Sequence, residues 1–428
     1  MKLISCIIIS LFLLSIQPVD GQKFVQVKDG KFIKEGQTYK YIGTNFWYGM
    51  NLGAFDKERL VRELDRLNEL GVKNLRLMVA SEGNAESEWR LQPCLQTTPG
   101  VYNEELLEGL DFLLNEMQKR QMLGVLCLNN FWPWSGGMSQ YVSWANNNEA
   151  IPFPPPAKDG DWRKYQEYSA QFYTNKKALA YFNDLIKLLV NRKNTVNGLA
   201  YTEDPTIMAW QLANEPEGVN QEQAYRKWLH STAKYIKSLD SNHLVSIGSE
   251  GNTPFPRTGN NFEKDHQSEY IDYCTFHLWI QNWGLYNPQK PEISYKEAIV
   301  KAEQYINQHF EIATKLLNKP IVLEEFGISR DFNSYETKAE TKYRDAYYTY
   351  IFEKILELSN KGNMSGANFW AWAGEGRPRL PKVIWKTGDD LIGDPPHELQ
   401  GWYSVYDTDE STKVIIKKYT TLISESEK

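Results

Sequence analysis

Hydrophobic and polar positions alternate along this chain in a way that predicts short strands, each followed by an amphipathic helix. The first unit is the clearest: strand-like YKYIGTNFWYG precedes DKERLVRELDRLNELG, which Asp56 can cap and which repeats leucines along one face. Apolar runs of strand length recur at 39–49, 72–79, 123–132, 206–216, 243–251, 273–279, 319–327 and 366–372. Further helices are predicted near 103–121, 163–192, 220–239, 294–317, 337–360 and 411–424, with a poorly defined one between 252 and 272.

Eight strand–helix units are the number that closes a parallel barrel, so the pattern predicts an α/β fold of the (β/α)8 TIM-barrel type. An open, doubly wound sheet is the alternative. It would need a glycine-rich phosphate turn, and GTNFWYG fills those positions with bulky aromatic residues. Long βα loops are predicted after strand three (131–165) and after strand eight (374–403), on the face where barrels build their sites.

The first 21 residues, MKLISCIIISLFLLSIQPVDG, have the pattern of a secretory signal rather than of a membrane span. A lysine near the start is followed by an apolar stretch from Ile4 to Ile16, then Pro18 and Gly21. We therefore expect a signal peptide at 1–21, a single catalytic domain at 22–428, and a secreted or periplasmic protein.

Composition narrows the range of partners. The formal net charge is −6 and no basic stripe occurs, which argues against nucleic acid and anionic membranes as partners. After the signal, Cys94, Cys127 and Cys274 remain, and with only 6 histidines in the chain we expect no disulfide framework and no metal site. The 14 tryptophans and 25 tyrosines are the unusual feature.

Two carboxylates end strongly apolar strands. Glu215 follows WQLAN and Glu325 ends KPIVLEE, so in a barrel both lie at the same mouth. Such a pair suits cleavage of a glycosidic bond, in which one acid protonates the leaving oxygen and the other attacks the sugar or activates water. Glu324 competes with Glu325. Successive side chains on a strand face opposite ways, so only one of the two acids can point into the barrel mouth. We expect Glu324, which shares the face of Val322, to point toward the helices. Parity alone does not decide which of the two faces is inward.

Other polar residues at strand ends could support this pair. A guanidinium at Arg76, inside an apolar strand, would keep a neighbouring carboxylate ionised. His277 ends strand six, Asn130 ends strand three, and Asn214 is placed to bind a sugar hydroxyl. Flat aromatic rings around them would stack on sugars, and the candidates are Trp47, Trp132, Trp134, Trp279, Trp283, Trp370, Trp372, Trp385 and Trp402.

These residues resemble glycoside hydrolase family five, and within it the endo-β-1,4-mannanase subgroup. The resemblance covers nearly all of the mature chain in order and is carried by the segments GTNFWYGMNLG, NLRLMV, WSGGMSQYVSW, WQLANEPEG, FHLWIQNWG, KPIVLEEFG and GANFWAWAGEGRP. It implies a barrel enzyme that acts with retention on β-mannans and needs no metal or organic cofactor.

The resemblance also implies roles for individual residues. Glu215 corresponds to the acid/base and Glu325, directly before Phe-Gly, to the nucleophile, which selects Glu325 over Glu324. The residues implied for substrate binding are Arg76, Asn130, Asn214, His277, Trp279, Trp370, Trp47 and Trp132. The chain departs from the family pattern at Trp279, where a tyrosine is frequent, and at Glu217, where mannanases often carry arginine.

We therefore predict a secreted, retaining endo-β-1,4-mannanase, a monomer without a membrane span, that hydrolyses mannan, glucomannan or galactomannan. We also expect the pKa of Glu215 to be raised, because it lies near a second negative charge. The alternatives are an endo-β-1,4-glucanase with the same catalytic residues, a non-catalytic polysaccharide-binding barrel, and a metal-dependent hydrolase.

Overall fold

Eight parallel strands form the central sheet of the computed structural model, which describes residues 24–83 and 89–426. The predicted signal segment 1–21 lies outside these ranges. The strands confirm the predicted positions and are β1 (Tyr41–Asn45), β2 (Asn74–Met78), β3 (Leu123–Cys127), β4 (Ile207–Gln211), β5 (Leu244–Ser246), β6 (Cys274–Leu278), β7 (Ile321–Phe326) and β8 (Met364–Phe369).

The sheet runs β5-β4-β3-β2-β1-β8-β7-β6 and curves into a nearly closed barrel. Within the described ranges, no strand-to-strand ladder joins β5 to β6. That seam is instead bridged by Asp272, whose carboxylate accepts the Val245 amide at 2.6 Å and whose own amide donates to the Val245 carbonyl at 2.8 Å. Thr275 Oγ1 accepts the Gly248 and Ser249 amides at 3.2 and 2.9 Å.

Helices surround the barrel in the predicted order. Asp56 caps the second helix as predicted, accepting the Arg59 amide at 3.0 Å. The single helix predicted over 163–192 is two helices, because Asn175 caps a new one by accepting the Lys177 and Ala178 amides, each at 3.1 Å. The helices are α1 (Gly49–Phe55), α2 (Lys57–Glu69), α3 (Glu104–Lys119), α4 (Gly137–Ala145), α5 (Trp162–Ser169), α6 (Lys176–Val190), α7 (Glu222–Leu239), α8 (Phe262–Asp265), α9 (Pro291–Glu311), α10 (Lys342–Lys361) and α11 (Glu410–Glu425).

A small antiparallel sheet packs against the end of the barrel where the strands begin. It is formed by Gln26–Lys28, Lys31–Lys34 and Gln37–Thr38. Phe32 is fully buried and packs edge-on against Tyr273, with ring centroids 5.1 Å apart. This end is therefore filled by apolar side chains, and the polar residues gather at the opposite mouth.

The long loop after β8 folds back over the mouth. The Trp47 indole, just past β1, donates to the Gly393 carbonyl at 2.9 Å and ties the loop to the end of the strand that neighbours β8. Asp394 then accepts hydrogen bonds from the Gly401 and Tyr403 amides and the Ser404 hydroxyl. The loop is thus ordered by its own polar contacts as well as by the barrel.

Three cysteines in the described residues, Cys94, Cys127 and Cys274, are free and buried. Cys127 and Cys274 lie within barrel strands, where they pack as small apolar side chains. Across the described ranges, none of the helices combines the length and apolar character that crossing a membrane would require.

Candidate active site

The two predicted carboxylates meet at the mouth of the barrel. Glu325 lies in β7 and Glu215 follows β4, and both are buried. One oxygen of each carboxylate and one ring nitrogen of His277 all lie within 4.8 Å of one another. Glu215 adopts a φ of 48°, which is uncommon for a residue with a Cβ, and its amide donates to the Gly248 carbonyl at 2.8 Å.

His277 lies between the two carboxylates. Its Nδ1 is 2.6 Å from Glu215 Oε1 and 3.3 Å from Glu325 Oε2. The imidazole is fully buried, because β6 presents it to the barrel interior beneath the surrounding loops. A protonated His277 can thus donate to either acid.

Arg76 projects from β2 into the same cluster. Its guanidinium forms an ion pair with Glu325 Oε1 and donates to Asn214 Oδ1 at 2.8 Å. The remaining donors reach Gln211 Oε1 at 2.7 Å and Asn45 Oδ1 at 3.1 Å. The four side chains that hydrogen-bond to this guanidinium all lie at strand ends. Because Arg76 contacts both Glu325 and Asn214, it fixes their positions relative to each other.

The expectation that Glu324 faces the helices is wrong. In the pairing of β6 with β7, Phe276 lies opposite Leu323 and His277 opposite Glu325, so Glu324 is an extra residue on β7. Such a bulge disrupts the strict alternation of faces. The Glu324 carboxylate accordingly accepts two hydrogen bonds from Gln211 Nε2, both at 2.8 Å, inside the barrel.

Burial and mutual contacts shift the pKa values of Glu215, Glu325 and His277. Burial tends to raise the pKa of Glu215, but the hydrogen bond and charge of His277, together with the Trp132 indole, outweigh it and lower that pKa. Burial raises the pKa of Glu325 to about 7 against the opposing charges of His277 and Arg76. For His277, burial is outweighed by the charge of Glu325 and the hydrogen bond to Glu215, so its pKa rises to about 9.

The expectation of a raised pKa at Glu215 is therefore wrong in this state of the protein. It considered only the second negative charge, whereas the structure adds two hydrogen-bond donors to the Glu215 carboxylate. The raised pKa of His277 favours the protonated imidazole, whose Nδ1 lies 2.6 Å from Glu215 Oε1.

Four of the candidate tryptophans lie at the same mouth as the acids. The Trp132 indole donates to Glu215 Oε2 at 2.5 Å. Trp47 and Trp370 line one small cavity together with Arg76 and Asn214. Trp279 packs edge-on against Trp370, with ring centroids 5.8 Å apart, in the position where the family often has tyrosine.

Asn130 also belongs to the cluster. Its Oδ1 accepts the Asn214 side-chain amide at 3.3 Å and the Trp132 backbone amide at 3.0 Å, and its Nδ2 donates to Ser135 Oγ at 2.9 Å. The ten residues assigned to catalysis and substrate binding therefore lie at one mouth of the barrel, whereas the indole of Trp372, another stacking candidate, donates to Glu63 at 2.9 Å.

Several residues of the site were missed. Asn45 ends β1 and Gln211 ends β4, so the reasoning that selected polar residues at strand ends would have found both. Glu250 follows β5, and burial with repulsion from Glu215 and Glu217 raises its pKa well above the usual value. Glu398, in the loop after β8, shows the same upward shift from burial and the charges of nearby acids, which no local pattern predicts.

Glu217 is buried two residues after Glu215. Its Oε2 accepts the Gln166 side-chain amide at 2.8 Å. Burial and the charge of Glu215 raise the pKa of Glu217 to about 8. At the position where mannanases often have arginine, this chain thus has a buried carboxyl group with a raised pKa.

Glu215, His277 and Glu325 are close enough together to hold a metal ion. The Arg76 guanidinium already contacts Glu325 and supplies positive charge at that oxygen. A divalent ion there would have to share the carboxylate with a buried cation, which like-charge repulsion disfavours.

Comparison with known proteins identifies the family. The model of the glycoside hydrolase family 5 β-mannosidase-like family matches residues 22–428. The crystal structure of a family 5 mannosidase from Rhizomucor miehei is 38% identical, with a TM-score of 0.87, over 95% of this chain and 99% of that one. A mutant of that mannosidase, 37% identical to this chain, was solved in complex with mannosyl-fructose.

Endo-acting relatives are similar as well. Mannan endo-1,4-β-mannosidase 5 of Solanum lycopersicum is 30% identical over 405 residues, which cover 88% of this chain and 90% of the tomato protein. The endo-1,4-β-mannanase of Rhizomucor miehei shares the fold, with a TM-score of 0.70 at 22% identity, over 94% of this chain and 99% of that one.

Proposed function

This chain belongs to the β-mannosidase-like family of glycoside hydrolase family 5, and on that premise we propose that it hydrolyses β-1,4-mannosidic bonds with retention. The observation that carries the proposal is the meeting of Glu215 and Glu325 around His277, with Arg76 paired to Glu325. Retaining enzymes hold their carboxyl groups about 5–5.5 Å apart and inverting enzymes about 6.5–9.5 Å. An oxygen-to-oxygen separation within 4.8 Å supports the retaining spacing.

In the proposed first step, Glu325 attacks the anomeric carbon and Glu215 gives a proton to the departing oxygen. The bond between the anomeric carbon and the leaving oxygen breaks as the ester to Glu325 forms. Arg76 opposes the effect of burial on the Glu325 pKa and its ion pair aims the carboxylate at the sugar, while Asn214, held by Arg76, is placed beside the hydroxyl next to the anomeric carbon. The His277 proton, 2.6 Å from Glu215, is the source from which Glu215 is protonated.

In the second step, Glu215 takes a proton from water, which attacks the anomeric carbon and frees Glu325. The ester at Glu325 is neutral, so the site has lost one negative charge. That loss lowers the proton affinity of Glu215 and His277, which suits Glu215 to act as a base at this stage.

We propose an endo-acting enzyme on mannan, glucomannan or galactomannan as the first candidate. It is supported by the tomato mannan endo-1,4-β-mannosidase, which aligns over 90% of its length. The sugar specificity is part of the proposal, since the catalytic groups alone would serve a β-glucan equally well.

An exo-acting β-mannosidase is the second candidate. The loop after β8 is held at the mouth by the Trp47 indole, and burial together with the charges of Asp394, Glu325 and Glu215 raises the pKa of its Glu398. A loop this close to the acids would block one end of a cleft and leave room for a chain terminus. The 38% identity to a family 5 mannosidase supports the same interpretation.

Product analysis separates the candidates. On galactomannan, an endo-enzyme is expected to lower viscosity early and release short oligosaccharides, because it cuts within chains. An exo-enzyme is expected to release mannose from manno-oligosaccharides with little early change in viscosity. Carboxymethylcellulose is the parallel substrate, and faster cleavage of it than of mannan would contradict both candidates.

We also propose that residues 1–21 direct export and that 22–428 form one catalytic domain that acts as a monomer. The proposal is supported by the apolar stretch from Ile4 to Ile16 ahead of Pro18. When the full chain is expressed in a secreting host, the exported protein is expected to begin near Gln22 and to have the mass of one chain by light scattering. Export with residue 1 intact would contradict the signal assignment.

A further inference from the structure

Glu324 is a buried carboxylate that the proposed two-step reaction does not use. It is 1% exposed and lies below Glu325, so a sugar in the mouth would meet Glu325 first. The bulge in β7 nevertheless turns it into the barrel, where its Oε2 lies 3.8 Å from Arg76 Nε and 3.9 Å from His277 Nε2. The two cations that contact Glu325 therefore also face Glu324.

Gln211 links Glu324 to Arg76. Its side-chain amide donates to both Glu324 oxygens at 2.8 Å, and its Oε1 accepts from Arg76 Nε at 2.7 Å. The orientation of the guanidinium that pairs with Glu325 is thus fixed from beneath through Gln211.

His277 completes the arrangement. Its Nδ1 side faces Glu215 and Glu325, while its Nε2 is buried without a hydrogen-bond partner among the described residues and has Glu324 as its facing acid. The 3.9 Å separation is too long for a hydrogen bond, so Glu324 acts on His277 through charge. A protonated imidazole in this place is favoured by negative charge on both of its sides.

The remaining titratable groups that face Glu324 carry no charge near neutral pH. Burial raises the pKa of the Cys127 thiol to about 12 and the pKa of the Tyr41 and Tyr273 phenols well above their usual value. Arg76 and His277 are therefore the charged groups opposite Glu324, and Glu325 is the charged group beside it.

We propose that Glu324 is a positioning residue for the hydrolysis, which orients Arg76 through Gln211 and supplies the negative charge that retains a proton on His277 for Glu215. The proposal rests on the roles proposed for Glu215 and Glu325. It adds a third carboxylate whose negative charge favours the proton on His277, from which Glu215 is protonated.

The test is Glu324→Gln, assayed on mannotetraose across the pH range by chromatography. Removing the charge is expected to lower kcat by roughly 10- to 100-fold and to move the alkaline limb of the pH profile down by about one pH unit, with KM little changed. The sign follows from the lost negative charge, which makes the proton on His277 and Glu215 easier to remove. An alkaline limb in the wild-type position would overturn the proposal, whatever the rate.

Glu63→Gln is the matched control. Glu63 is also a fully buried glutamate that pairs with arginines, at 3.5 Å from Arg59 and 3.3 Å from Arg66, but it lies outside the acid cluster. This variant is expected to lose stability without moving the alkaline limb. A shift of equal size in Glu63→Gln would show that loss of any buried charge has the effect, and would overturn the assignment to Glu324.

Glu324→Asp covers the case in which the glutamine variant does not fold. The shorter side chain keeps the negative charge but draws it away from Gln211. We therefore expect kcat to fall while the alkaline limb stays in place. A wild-type kcat would overturn the role of Glu324 in orienting Arg76 through Gln211. Glu325→Gln provides the reference for the proposed function. Activity retained in Glu325→Gln would refute the assignment of Glu325 as the nucleophile. If Glu325→Gln is inactive but the alkaline limb of Glu324→Gln is not shifted, the role of Glu324 is refuted and that of Glu325 stands.

Discussion

Glu325→Ala is expected to lower kcat on mannan by about 10⁴-fold or more, which corresponds to about 5 kcal/mol or more of transition-state stabilisation. The variant lacks the oxygen that forms the covalent bond to the sugar, and no neighbouring acid can replace it. Glu324 is adjacent in sequence, but both of its oxygens accept hydrogen bonds from Gln211 beneath the mouth. Steady-state kinetics on purified protein measure the effect.

Azide provides the control for this prediction. In Glu325→Ala it can enter the space left by the carboxylate, attack the same face of the sugar and yield an α-mannosyl azide. Recovery of activity with that product would identify Glu325 as the nucleophile, whereas hydrolysis that stays near the wild-type rate without azide would rule it out.

Glu215→Ala is expected to slow hydrolysis of mannan by roughly 10²–10⁴-fold, the usual contribution of a general acid. Aryl mannosides with an activated leaving group should be affected much less in the first step, because their leaving oxygen needs no proton. The alkaline limb of the pH profile, which reports the proton held by Glu215 and His277, is expected to disappear. Comparing natural and activated substrates across pH measures both effects.

Trp132→Phe is a useful companion variant, because it removes the indole donor to Glu215 but keeps the acid. It should retain the alkaline limb that Glu215→Ala loses. If Glu215→Ala cleaved mannan and the activated substrate with equal losses, Glu215 would not be the acid/base, since the loss would then be independent of the leaving group.

The sequence predicted the barrel because each strand and helix carries its own local pattern. The eight strands are confirmed, and the same reasoning brought Glu215, Glu325, Arg76 and His277 to one mouth, because the carboxyl ends of parallel strands share an edge. The broken helix at Asn175 shows the limit of this approach. Asn175 caps a new helix, but in the sequence it is a single polar residue within a continuous apolar pattern, as an exposed position of one long helix would be.

The errors at the site have other causes. Glu324 was assigned to the wrong face because a bulge depends on how two strands pair, and β7 by itself shows only alternation. The pKa of Glu215 was given the wrong sign because the two donors that lower it come from β6 and from the loop after β3. One of the contacts that hold the loop after β8 at the mouth joins Trp47 and Gly393, two residues 346 positions apart.

The free cysteines have a consequence for the chemistry that the chain can tolerate. Burial raises the pKa of Cys94 to about 11 and those of Cys127 and Cys274 to about 12, so almost no thiolate is present at neutral pH. Thiolate is the form that attacks disulfides and reacts with peroxide. These three sulfur atoms are therefore poor substrates for oxidation, and the folded barrel can persist in an oxidising medium without cross-links to protect it.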